Sequence, residues 1–189
     1  MTAAPAAQEE VYISVDVEAA GPIPATYSLL SLGASVVSDP MQHFYAEFQP
    51  INDNAVPEAL AVSGFSLTEL AKQGEAPAAA MQRFRDWIIK ISDGRTPVFV
   101  GFNAGFDWAF VNWYFHMYLG ENPFGFSALD IKAYYMGLSG SRWAETTSRK
   151  LPSEFQPTAM MANHNALTDA QAQAEIFAKL LHASRMKKE

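Results

Sequence analysis

The alternation of apolar and polar residues lays out the elements of this chain before any chemistry is considered. In VYISVDVE, Ile13, Val15 and Val17 fall on one side and Tyr12, Ser14, Asp16 and Glu18 on the other, which predicts a strand. Gly21-Pro22 and Pro24 then break the chain, and SLLSLGASVV and QHFYAEFQP read as two further strands, most simply in an antiparallel meander. APAAAMQRFRDWIIKIS carries apolar residues at helical spacing and stops near Asp93-Gly94. PVFVGFN is a short continuous apolar run, as suits a buried strand. FDWAFVNWYFHMYLG predicts a helix closed by Gly120, and ALDIKAYYMGLSG a shorter helix followed by a loop over 139–158. ALTDAQAQAEIFAKLLHA, rich in strong helix formers, is the clearest helix. Three strands, then helices alternating with one or two more strands, make an α/β layered domain. Residues 1–10 read as a flexible N-terminal tail and 11–185 as a single domain.

Composition narrows the function classes. With 189 residues, 49% of them apolar and 17% charged, the chain is long enough for one domain with a sizeable core. It has no cysteine, so disulfide frameworks and thiolate metal sites are excluded, and a reducing cytoplasm is the expected location. MTAAPAAQEE lacks the basic and apolar regions of a signal peptide, and no apolar run approaches the ~20 residues that span a bilayer, so no membrane partner is expected. A net charge of −7 argues against a broad basic nucleic-acid footprint. It leaves room for an enzyme that holds a short end through few phosphate contacts.

Four carboxylates and one imidazole stand out. Asp16 and Glu18 lie two apart on a strand, so both project from one face and can close on one cation; the alternative is the solvated face of an edge strand. Asp107, in NAGFD, follows a strand and opens a helix, where it serves either a ligand at the strand's carboxyl end or the helix dipole. Asn103 is either a turn former or a hydrogen-bond partner shaping that loop. His164 and Asp169 are five apart, about 140° around a continuous helix, which would separate them. A helix that begins near Asn165 or Ala166, with Asn165 as its cap, leaves His164 on the preceding loop beside Asp169. Carboxylates are hard ligands for Mg²⁺ or Mn²⁺, and neutral imidazole accepts a proton near pH 7.

D-x-E early, N-x-x-F-D in the middle and H-x-x-x-x-D before the last helix match, in order, the three motifs of the DEDDh 3′–5′ exonucleases, the family of ribonuclease T, oligoribonuclease and the polymerase proofreading subunit. The resemblance covers roughly residues 11 to 182. It implies a ribonuclease H-like mixed sheet of five strands flanked by helices. It also implies two metal ions, Mg²⁺ or Mn²⁺, held by Asp16, Glu18, Asp107 and Asp169, with His164 as general base. The implied reaction releases 5′-mononucleotides from single-stranded DNA or RNA 3′ ends or short oligonucleotides, and because several relatives are dimers, a homodimer is implied too. Substrate contacts fall to Ala19, Asn103, Phe106 and Trp108, with base stacking open to Phe106 or Trp108, while Phe102 and Trp113 read as core.

Two stretches depart from the family pattern. DVEAAG stands where D-x-E-T-T-G is commoner, so Ala19 and Ala20 remove two hydroxyls. SRWAETTSRKLPSEFQPTAMMA replaces a short helical connection, and its Arg142, Arg149 and Lys150 near Trp143 read either as a phosphate- and base-contacting loop or as an ordinary solvated one. PEALAVSGFSLTEL reads as a helix and turn, with Ser66 or Thr68 capping a helix that includes Glu69. The competing functions are an accessory nucleic-acid or polymerase-binding module, and a two-metal phosphoesterase acting on a small phosphodiester.

Overall fold

A computed structural model describes residues 9–158 and 165–186. Five strands form one sheet in the order β3-β2-β1-β4-β5: β1 (Glu10–Ala19), β2 (Leu29–Val36), β3 (Asp39–Glu47), β4 (Thr96–Gly101) and β5 (Ala128–Asp130). β1, β2 and β3 make the antiparallel meander, and β1 is central, with β4 parallel on its other side. β1 begins at Glu10, the last residue of the segment read as a tail.

A parallel neighbour requires a crossover. Between β3 and β4 it is supplied by α1 (Pro57–Ser63), α2 (Leu67–Gln73) and α3 (Pro77–Ser92); α4 (Gly105–Leu119) crosses from β4 to β5. Ser66 caps α2 by accepting from the Glu69 amide, and Gly120, at φ 76°, ends α4. The stretch read as one helix from Ala128 divides. Ala128–Asp130 pairs with β4, and α5 (Ile131–Ser139) starts only after Asp130, whose side chain caps it through the Ala133 amide. Three residues are too few to carry a period of their own. The loop that follows contains three short 3₁₀ turns and leads to α6 (Ala166–Met186). Among the described residues no helix is long and apolar enough to cross a membrane.

The two faces of β1 bury different chemistry. Ile13, Val15 and Val17 join Phe84, Phe99, Phe110, Tyr114 and Phe115 in the main core beneath α3 and α4. Each such side chain contributes roughly 1.5–3 kcal/mol by leaving water. The other face lies under α6 and is built from small residues. Ser14 and Ser35 are cross-strand partners, as are Asp16 and Gly33. A Cβ on Gly33 would come within 2.3 Å of the Ala166 carbonyl carbon and the Leu167 nitrogen. The bare glycine therefore lets the first turn of α6 rest on the sheet, and Ala166, Ala170 and Ala174 are fully buried along that helix.

Candidate active site at the carboxyl end of β1

β1 outruns its parallel neighbour: the pairing with β4 extends only to Ser14 opposite Val100. Asp16 and Glu18 lie beyond that point, on the face that α6 covers. The Val17 amide, left without a strand partner on that side, donates to Asp107 Oδ1 at 3.0 Å. Asp107 is buried in the first turn of α4. Its carboxylate thus satisfies the backbone between the two strand carboxylates and is fixed next to both.

The last carboxylate arrives on α6. Asn165 caps this helix, its Oδ1 accepting from the Leu167 and Thr168 amides at 3.1 and 3.2 Å. Asp169 is buried one turn in, and oxygen atoms of Asp16, Glu18 and Asp169 all lie within 4.8 Å of one another. His164 directly precedes the cap and lies outside the described residues.

Gln173, one turn after Asp169 and only 2% exposed, ties this cluster to the next loop. Its Nε2 donates to Asp16 Oδ1 at 2.6 Å, and its Oε1 accepts from the Phe102 amide at 2.8 Å. Asp130 braces the same loop from the far side, accepting from the Ala104 amide at 2.7 Å. Sequence reasoning missed both residues. The i, i+4 spacing of Asp169 and Gln173 on one helix face was the available signal for Gln173.

Clustering four acids in a partly dry cleft works against their ionisation. The Asp16 carboxyl is held well above the usual range, first by burial, then by Asp107, Asp169 and Glu18; the Gln173 amide opposes the shift. Burial, with Asp169 adding, pushes Glu18 up to about 7. Burial also pushes Asp107 up to about 8, against the Val17 hydrogen bond. A set of convergent hard oxygen donors with this much mutual repulsion fits divalent cations, whose charge would offset the cost.

The residues read as substrate contacts lie around this cluster. Asn103 is exposed and adopts φ 67°, and its carbonyl accepts from the Phe106 amide. Phe106 is 37% exposed and, with Ala19, lines an apolar pocket of about 400 Å³ beside Glu18. Trp108 packs edge-on against Phe99, its ring 5.2 Å away. Phe102 and Trp113 are partly buried against the two main cores.

Comparison with known proteins agrees with this geometry. A model of the exonuclease family matches residues 13–177. The chain is 45% identical over 181 residues to the 3′-5′ DNA exonuclease Cap18 of Escherichia coli, covering 95% of this chain and 96% of that one. Its fold is similar to the nuclease domain of 3′hExo, a DEDDh family member bound to rAMP (TM-score 0.74, 14% identity, 95% and 94% of the chains). It is also similar to E. coli Exonuclease I in complex with a dA16 oligonucleotide (TM-score 0.63, 18% identity), where 95% of this chain spans 42% of the larger one. The chain belongs to the exonuclease family, as a 3′–5′ exonuclease of the DEDDh type. The family is metal-dependent, and the carboxylate cluster described above is the corresponding feature of this chain.

Proposed function

We propose that this exonuclease removes 5′-mononucleotides one at a time from single-stranded DNA 3′ ends. The observation that carries the reading is the convergence of Asp16, Glu18 and Asp169 within 4.8 Å, with Asp107 buttressing the strand between the first two. The 45% identity to a protein named as a DNA exonuclease favours DNA over RNA.

In this reading Asp16, Glu18 and Asp169 would hold one cation, and Asp107 would help to hold a second. Mg²⁺ or Mn²⁺ ions so bound supply Lewis-acid polarisation of the phosphate and a lowered pKa for the attacking water. The chain's own residues do the rest. His164, the residue that precedes the Asn165 cap in the sequence, accepts the proton of the water that attacks the last phosphorus. As the water oxygen bonds to phosphorus, the P–O bond to the preceding 3′ oxygen breaks; that oxygen takes up a proton from solvent, and the terminal residue leaves carrying a 5′ phosphate. The Gln173 amide orients Asp16 and favours its ionised form against burial and the neighbouring acids. The apolar pocket lined by Ala19 and Phe106 receives the terminal nucleoside and excludes water beside Glu18, without the hydroxyls that Ala19 and Ala20 lack.

Product analysis tests this. Oligodeoxynucleotides incubated with the protein and Mn²⁺ should yield 5′-dNMPs by chromatography, faster than matched RNA yields NMPs. Release of nucleoside 3′-phosphates, or cleavage confined to small phosphodiesters such as bis-p-nitrophenyl phosphate, would contradict it.

A further inference from the structure

The segment after α5 does not wander into solvent; it doubles back. α5 starts at the carboxyl edge of the sheet, where Asp130 both caps it and holds the Ala104 amide at the head of α4. Asp107 follows Ala104 by three residues, about one helical turn. Lys132 is the second residue of α5, on that same edge. α5 ends at Gly140 (φ 73°), and the chain then returns until the Trp143 ring lies 4.1 Å from Lys132 Nζ, a cation–π contact. Trp143 has therefore been brought back to the edge that carries the four carboxylates, and it remains 50% exposed.

The returning strap is held in shape. The Arg142 amide and guanidinium both bind Glu145, at 3.0 and 2.8 Å. The buried Thr146 hydroxyl donates to the Trp143 carbonyl, and Lys150 Nζ donates to the Ala144 carbonyl, each at 2.8 Å. Leu151 anchors the strap in the core under α6. Its charge is opposite to that of the whole: residues 132–150 carry Lys132, Arg142, Arg149 and Lys150 against Glu145 alone, in a chain of net charge −7. A half-exposed indole with Lys132 against its ring, on a hydrogen-bonded strap that also carries Arg149 and Lys150, matches what single-stranded nucleic acid requires, a stacking surface and phosphate partners.

We propose that this strap binds the single strand upstream of the nucleotide being removed, with Trp143 stacking a base and Lys132, Arg149 and Lys150 facing phosphates. The inference rests on the exonuclease reading and assigns to this segment the grip on longer substrates. A dinucleotide offers no strand beyond the nucleotide next to the scissile bond, and on this proposal its hydrolysis is independent of the strap.

Two readouts separate the claims. Anisotropy of a labelled ten-nucleotide deoxythymidine strand, with Ca²⁺ replacing the catalytic ion, measures binding alone. Trp143→Ala should weaken it at least about fivefold, the low end for one stacked base, and Trp143→Phe should restore most of it. Arg149→Ala with Lys150→Ala should reduce the salt slope by about 1.4, at 0.7 per single-strand phosphate contact. In Mn²⁺, Trp143→Ala should raise KM for the decamer while leaving dinucleotide turnover unchanged. Unaltered decamer affinity and salt slope in these variants, or equal losses on dinucleotide and decamer, would overturn the strap assignment. Strap-dependent binding without cleavage of any strand would uphold it and overturn the exonuclease reading instead.

Discussion

Gln173 Nε2 stands 2.6 Å from Asp16 Oδ1, joining the middle of α6 to the central strand across 157 residues of sequence. The other end of the same amide holds the Phe102 backbone at the mouth of the loop that leads to Asp107. One buried side chain thus aligns three of the structural elements that supply carboxylates.

Replacing it should be felt at the site more than in the fold. Gln173→Leu is expected to lower divalent-cation affinity and turnover 10- to 100-fold, the usual effect of losing a group that orients a ligand. Stability should fall by about 1–3 kcal/mol for the unpaired Phe102 amide. Isothermal titration with Mn²⁺, beside steady-state rates, checks this; a stability loss with unchanged cation affinity would assign Gln173 a purely structural role.

Gly33 is expected to be the least replaceable glycine of the sheet. Gly33→Ala drives a Cβ into the backbone of Ala166 and Leu167, so α6 must lift and carry Asp169 with it. Destabilisation of about 1–3 kcal/mol with a severe loss of activity should follow. Gly137, inside α5 with open space at its Cβ position, is the control: Gly137→Ala should stabilise by up to about 1 kcal/mol and leave activity alone. Chemical denaturation of both variants distinguishes these outcomes.

The carboxylate cluster should make cation-free stability fall as pH rises. Glu18 is raised from 4.5 to about 7 and Asp107 from 3.8 to about 8, so the folded state binds more protons than the unfolded one between those values. Their stabilising protonation is complete below about pH 4 and is lost as pH climbs through 7 to 8. In EDTA the melting temperature should drop by several degrees from pH 5 to pH 8, and Mg²⁺ or Mn²⁺ should reverse the drop, increasingly so at higher pH. A flat profile in EDTA would contradict this electrostatic picture.

Asp107 serves the backbone as well as the site, and the two duties can be separated. Asp107→Asn keeps an oxygen for the Val17 amide while removing the charge, so the cation-free protein should melt no lower at pH 8 while activity falls by about 100-fold or more. Asp107→Leu loses both and should cost a further 1–3 kcal/mol or so for the orphaned amide. Thermal melts and rates on the same preparations make the comparison.

These relationships explain which parts were legible in the sequence. Period-two alternation displayed Asp16 and Glu18 on one face, and the strand-to-helix change displayed Asp107, because both are local properties of a few consecutive residues. Asn165 revealed itself as a cap, and with it the start of α6. The short strand at Ala128–Asp130 did not, because its pairing is dictated by β4 rather than by its own three residues. Asp130 and Gly33 were invisible for a related reason, and helical spacing could place Gln173 on the face of Asp169 without giving its partners. Their roles depend on the register of α6 and α5 against the sheet, which no local pattern records.

The most direct test is a denaturing-gel time course on 5′-labelled single-stranded DNA with Mn²⁺ or Mg²⁺, comparing the native chain with Asp16→Ala. A ladder that shortens one nucleotide at a time from the 3′ end, abolished in EDTA and in a normally folded Asp16→Ala, is the predicted result. An undiminished ladder from Asp16→Ala, or none from the native chain with either metal, would contradict the assignment of these carboxylates as the catalytic centre.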